Sequence, residues 1–166
     1  VKMVADKSTK KLLGLQVLGQ GAVDKIVDIG ATAIALNASL DQIKDLDLAY
    51  APPFSTAIHP FSHTVNILLN KINGEIQSIT PGEYIEGKAE GYKIIDASIS
   101  PSIAGATFVD LSKVHGEMPE VGKDEKLLLV CAKGKRAYML QKRLKNFGYT
   151  NTLVLEGGTT FNEISL

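Results

Sequence analysis

The stretch that most constrains this chain is Leu127–Arg136, LLLVCAKGKR. Four apolar residues run into the only cysteine of the sequence, and a loop with one glycine and three positive charges follows. An apolar run this short, bounded by turn residues, reads as a strand buried on both faces, the kind that parallel sheets contain. The next segment, Ala137–Phe147, places Ala137, Leu140, Leu144 and Phe147 at helical spacing and stops at Gly148, a good helix terminator. Cys131 is therefore expected at the carboxyl end of a strand, with Ala132–Arg136 turning over it into a helix N-terminus. Ligands of open α/β sheets bind at such ends. The amides of the turn and the helix dipole should favour the thiolate there.

The remaining composition narrows the class. The chain has 166 residues, 45% hydrophobic and 22% charged, enough for one ordinary domain or two small ones. Eighteen basic residues balance eighteen acidic ones, and GKR is too short for a basic arm, so no nucleic-acid partner is expected. One cysteine excludes an internal disulfide framework and fits a reducing, cytoplasmic setting. No apolar run approaches the roughly 20 residues of a spanning helix, so no membrane partner is expected. The chain opens at Val1 already strand-like and without a start methionine, as the tail of a longer protein would.

Two different patterns divide the sequence. Lys2–Asp6 and Lys11–Leu18 read as strands joined by a polar hairpin link. Ala22–Leu36 reads as a helix with Val23, Ile26, Val27, Gly30, Ala31, Ile34 and Ala35 on one face. Ser39 caps a short helix, and LAYAPPFS (48–55) is a proline-fixed loop displaying Tyr50 and Phe54. A last helix follows His59-Pro60, with Val65, Leu68, Leu69 and Ile72 inward, and Asn73-Gly74-Glu75 marks a boundary. Beyond it, short strands alternate with helices: Ile76–Ile79, Lys93–Asp96, Thr107–Leu111, Lys126–Val130 and Thr152–Leu155. Thr80, Pro81 and Glu83 form a helix-start signature. The expected architecture is α/β: an α+β domain with an antiparallel sheet over 1–74, then a small parallel α/β domain over 75–166.

The second half resembles a rhodanese domain. The resemblance rests on ITPGEY, IID at 94–96, GATFVDLS at 105–112, CAKGKR at 131–136 and FGYTNTLVLEGGTTF at 147–161. The first half resembles the dimerisation domain of pyridine nucleotide-disulfide oxidoreductases, through KMVADKSTKKLLGLQVLG, VDKIVDIGATAIA and LDLAYAPPFS. The last segment is similar to the branch with coenzyme A disulfide reductases and NADH-dependent persulfide reductases. The resemblance implies the C-terminal part of an FAD- and NAD(P)H-dependent reductase. Both cofactors would bind modules absent here, and no G-x-G-x-x-G follows a strand in this sequence, so none is expected in this chain.

The resemblance also implies roles. Cys131 would be the nucleophile that holds sulfane sulfur as a persulfide, and Arg136 would fix the loop. Ala132, Lys133, Gly134 and Lys135 would bind a small-molecule persulfide, polysulfide or coenzyme A thiol or disulfide. Tyr50 would reach the flavin-side site of a homodimer. A phosphatase of this shape would show Cys-x5-Arg; Cys131 to Arg136 is Cys-x4-Arg, a cradle suited to a single sulfur atom. Ser98 stands where an arginine is usual, a histidine is missing from IIDASISPSIAGA, and Phe161 stands near a usual tryptophan. These departures leave an alternative open: an idle rhodanese-like module that serves assembly or docking. His59, His63 and His115 show no metal-ligand spacing and read as solvated or capping residues.

Overall fold

A computed structural model describes residues 1–160, 162 and 166. They form two compact units, Val1–Glu75 and Ile76–Leu166.

In the first unit, β1 (Lys2–Ala5) pairs antiparallel with β2 (Leu12–Gln16), Lys2 opposite Gln16. The link between them turns on Asp6, whose carboxylate accepts the amides of Ser8 and Thr9. Both strands are shorter than the sequence suggests. Helix α1 spans Val23–Ala35, but its inward stripe is Ile26, Ile29, Gly30, Ala33 and Ile34. Val27, Ala31 and Ala35, expected on that stripe, point outward. The helix sits close on β2: a Cβ at Gly30 would overlap the end of Leu15, so the approach itself selects which face turns in. Helix α2 (Leu40–Ile43) starts on a Ser39–Gln42 capping box, and α3 (Pro60–Ile72) buries Phe61, Val65 and Leu69. These three pack with Leu12, Ala33, Leu40 and Ile43 as the core. Residues 46–59 carry no helix or strand, as two consecutive prolines dictate.

The second unit is a five-stranded parallel sheet, ordered β3 (Ser78–Ile79), β7 (Thr152–Leu155), β6 (Leu127–Val130), β4 (Lys93–Asp96) and β5 (Thr107–Phe108). Helix α4 (Pro81–Ile85) begins on a Thr80–Glu83 capping box with Pro81 in its first turn, as the sequence predicts. Helix α5 spans Lys135–Asn146 and ends at Gly148 with φ +91°. The strand expected over 107–111 stops at Phe108. Asp110 instead caps a 3-10 turn, Leu111–Lys113, by accepting the Ser112 amide. Side chains on the middle strand β6 alternate between two cores. Leu127 and Leu129 join Ala137, Leu140 and Leu144 of α5, while Leu128 and Val130 face Ile79, Ala89 and Leu155. Each buried leucine, isoleucine or valine among them stabilises the fold by about 1.5–3 kcal/mol.

Candidate functional site

The alternation along β6 decides where the thiol goes. Cys131 is the fifth residue of that two-residue period, so it follows Leu127 and Leu129 onto the side covered by α5. Gly134, with φ +81°, turns the chain back and serves as the N-cap of α5. That left-handed conformation suits glycine. The helix then starts at Lys135, two residues earlier than its apolar pattern suggests. Lys135 and Arg136 are thus residues of its first turn. The Ala137 amide, one of the first-turn donors without a partner inside the helix, points at Cys131 Sγ at 3.4 Å.

Arg136, in the first turn of α5, ties the helix to the residue that follows the neighbouring strand β4. Its Nε donates to the Ala97 carbonyl at 2.8 Å, and the Ala97 amide donates to Val130 at 2.7 Å. The residue after β4 is thereby tied both to β6 and to α5. Asp96, just before it and only 1% exposed, organises the loop beyond. Its carboxylate accepts the amides of Ser98 (2.9 Å), Ser102 (2.6 Å) and Ile103 (3.0 Å). Burial opposes its ionisation, but the Ser98 hydroxyl and these amides outweigh burial and hold the carboxyl below its ordinary value. Ser98, where the resemblance suggests an arginine, accepts a hydrogen bond from Ser102 Oγ at 2.8 Å. Asp110 is held below the ordinary carboxylate range by the Ser112 amide and hydroxyl, with the charges of Lys113 and Arg136 adding to this.

Among the residues singled out from sequence, Cys131, Ala132, Lys133, Gly134, Lys135 and Arg136 form one continuous turn. Ala132, Lys133 and Lys135 are exposed. Cys131 itself is 3% exposed and counts with the core. The turn was expected to converge several amides on the sulfur. Among the described residues one, Ala137, reaches it. Tyr50 belongs to the first unit, in the proline loop, 73% exposed, and Phe54 beside it is 88% exposed. Phe161 lies outside the described residues.

His59 is a capping residue: its Nδ1 accepts the Phe61 amide at 3.3 Å, and burial, then the Lys25 charge, lowers its pKa. His115 lines a cleft of about 450 Å³ along 108–120 together with Asp110, Lys113 and Glu117. Sequence reasoning noted Asp96 as an acid ending a strand but gave it no task. The serines two and six residues on were the available signal, since amides and hydroxyls that follow an acid closely can fold back on it.

Residues 1–61 match the family described as pyridine nucleotide-disulphide oxidoreductase, dimerisation domain. Residues 80–160 match the rhodanese-like domain. A coenzyme A disulfide reductase from Staphylococcus epidermidis is 32% identical over 60 residues, which are 36% of this chain and 13% of that protein. The solved structure of an NAD-dependent persulfide reductase from A. fulgidus is 28% identical, with a TM-score of 0.83 over 96% of this chain and 29% of that one. Reduced Bacillus anthracis CoADR-RHD is also 28% identical, with a TM-score of 0.85 over 95% of this chain and 29% of that one. The chain thus spans less than a third of the length of each of these proteins. By its matches, the chain carries a pyridine nucleotide-disulphide oxidoreductase dimerisation domain followed by a rhodanese-like domain.

Proposed function

We propose that this chain works as the C-terminal part of an FAD- and NAD(P)H-dependent disulfide or persulfide reductase. In this reading its rhodanese-like domain receives sulfane sulfur on Cys131 and hands it to the flavin-side site of a cytoplasmic homodimer. The observation that carries the reading is the Ala137 amide on Cys131 Sγ, in a turn whose arginine is tied to Ala97. Both cofactors would supply reducing equivalents from modules of the whole protein. The strand–loop–helix turn here does not fit either of them: it carries one glycine, and backbone and the Arg136 side chain occupy its flanks. None of the chemistry below runs through them.

The step assigned to Cys131 is thiol exchange. Its thiolate attacks the outer sulfur of a small-molecule persulfide R–S–SH, or the terminal sulfur of a polysulfide. The new bond joins Cys131 Sγ to that sulfur, the S–S bond of the donor breaks, and R–S⁻ leaves and takes up a proton from water. The Ala137 amide and the first turn of α5 favour negative charge on the sulfur, as donors fixed before the reaction do. Lys133 and Lys135, exposed on the turn, attract an anionic donor such as a coenzyme A persulfide. Ala132 and Gly134 contribute backbone. No second cysteine exists in the chain to discharge the product, so an external thiol must accept it. Tyr50 would donate its hydroxyl to a thiolate at the flavin-side site of the partner subunit.

Intact-mass analysis tests this. After incubation with polysulfide or a coenzyme A persulfide, an adduct of about 32 Da, one sulfur atom, should appear and be absent in Cys131→Ser. A chain that stays at its original mass under anaerobic conditions refutes the reading.

A second reading, an idle rhodanese-like module for assembly or docking, is favoured by the 3% exposure of Cys131 and by Ser98 at the usual arginine position. Iodoacetamide separates the two. An idle thiol reacts only as pH rises past about 8, whereas an activated one reacts well below that.

A further inference from the structure

We infer that Gly158 is a positioning residue for the thiol: without a side chain, it lets the strand-end segment 158–160 lie directly on the main chain of Cys131 and Ala132. The inference deepens the sulfur-carrier reading and rests on it. The Thr159 amide donates to the Cys131 carbonyl at 3.2 Å, and the Thr160 amide donates to the Ala132 carbonyl at 2.9 Å. Asn162 Nδ2 braces the segment by donating to the carbonyls of Gly158 (2.6 Å) and Glu156 (3.0 Å). Gly158 has φ +61°. A Cβ there would overlap the Cys131 carbonyl oxygen and stand 2.6 Å from both the carbonyl carbon and oxygen of Ala132. Those are backbone atoms, and they cannot swing aside as a side-chain end does.

The two other glycines around the turn are not so confined. A Cβ at Gly134 would meet backbone at an ordinary 3.6 Å, and one at Gly157 would meet only the movable amide of Asn162, at 3.1 Å. The Cys131 turn is thus held on one flank by Arg136 on Ala97 and on the other by this two-bond ladder. A side chain at 158 must push the Cys131 carbonyl away. That rotates the residue and carries Sγ off the Ala137 amide. Displacements of about 1 Å in such sites cost up to a hundredfold in rate.

The test compares Gly158→Ala with Gly148→Ala in the full chain. Gly148 also has positive φ, at the opposite end of α5, and its nearest neighbour for a Cβ is the Lys123 side chain at 3.7 Å. Both variants carry the backbone strain; only one carries the overlap. Iodoacetamide labelling of Cys131 at neutral pH and the one-sulfur adduct should both fall at least about tenfold in Gly158→Ala. Gly148→Ala should stay near the parent. Equal rates in the two variants overturn the inference.

A second measurement needs no variant. In the unsubstituted chain, the amides of Thr159 and Thr160 should exchange slowly with the free thiol, and their protection should change when Cys131 is loaded or alkylated. Exchange at the rate of open amides in both forms overturns the inference. If the parent chain labels normally but takes no sulfur, the sulfur-carrier reading fails, while the labelling and exchange comparisons still decide Gly158.

Discussion

Asp96 shows how a single charge can hold a loop. Its carboxylate gathers three amides from 98–103 and so fixes the residue whose carbonyl holds Arg136. Replacing it by alanine strands those amides, which should destabilise the fold by about 2–3 kcal/mol in urea titration. The pH dependence has a definite sign. Because the folded carboxyl sits below its ordinary value, its stabilisation is present above the unfolded pKa of about 4 and is lost as pH falls through the lowered folded value. The stability gap between the parent and Asp96→Asn should therefore be full at pH 7 and close at acid pH. A gap that widens on acidification would contradict the assignment. Arg136 acts through geometry as well as charge. Arg136→Lys keeps the charge but not the planar Nε donor aimed at Ala97, and should slow sulfur loading of Cys131 about tenfold by intact mass. At this scale the sequence was legible where spacing is diagnostic, as in the run from Cys131 to Arg136. It was silent where a partner arrives from elsewhere in the chain. Ala97 lies 39 residues from Arg136, and Gly158 meets Cys131 across 27.

Elements were more legible than their ends. The capping boxes at Ser39 and Thr80 are local, so the chain announces them, and the helices begin where expected. Strand lengths depend on partners, and 107–111 was overread because Asp110 found an amide two residues ahead instead of a neighbouring strand. The inner face of α1 was misassigned because Gly30, not bulk, sets its approach to β2. Gln141 is the clearest contact that no pattern reveals. Buried in α5, it accepts the Gln77 amide (3.2 Å) and donates to the carbonyls of Gln77 (2.8 Å) and Thr152 (3.0 Å). It thus secures the two-residue edge strand β3 by the main chain just before it. Gln141→Leu should cost about 2–3 kcal/mol in urea unfolding, because it leaves buried backbone groups without partners. A loss under half a kilocalorie would mean that β3 holds by its own ladder. Thr80→Ala should cost about 1 kcal/mol, the usual loss on removing such a cap.

Over the whole molecule, the two units are built on different sheets. The first displays Tyr50, Phe54 and Ile58 on a loop that the rest of that unit does not cover. A homodimer built by this domain should be visible by sedimentation, with Phe54→Ser weakening it at least about tenfold if the loop lies in the contact. A monomer at every concentration would argue against the homodimer. The order of strands in the second unit has another consequence. β6 has a partner on each side and both its faces covered, so its amides should be the last to exchange with deuterium. Fraying at the sheet margins, where β3 and β5 have two residues each, would leave the sulfur's anchorage undisturbed. On warming, sulfur loading should persist until the central strands melt together, and then vanish in a single cooperative step.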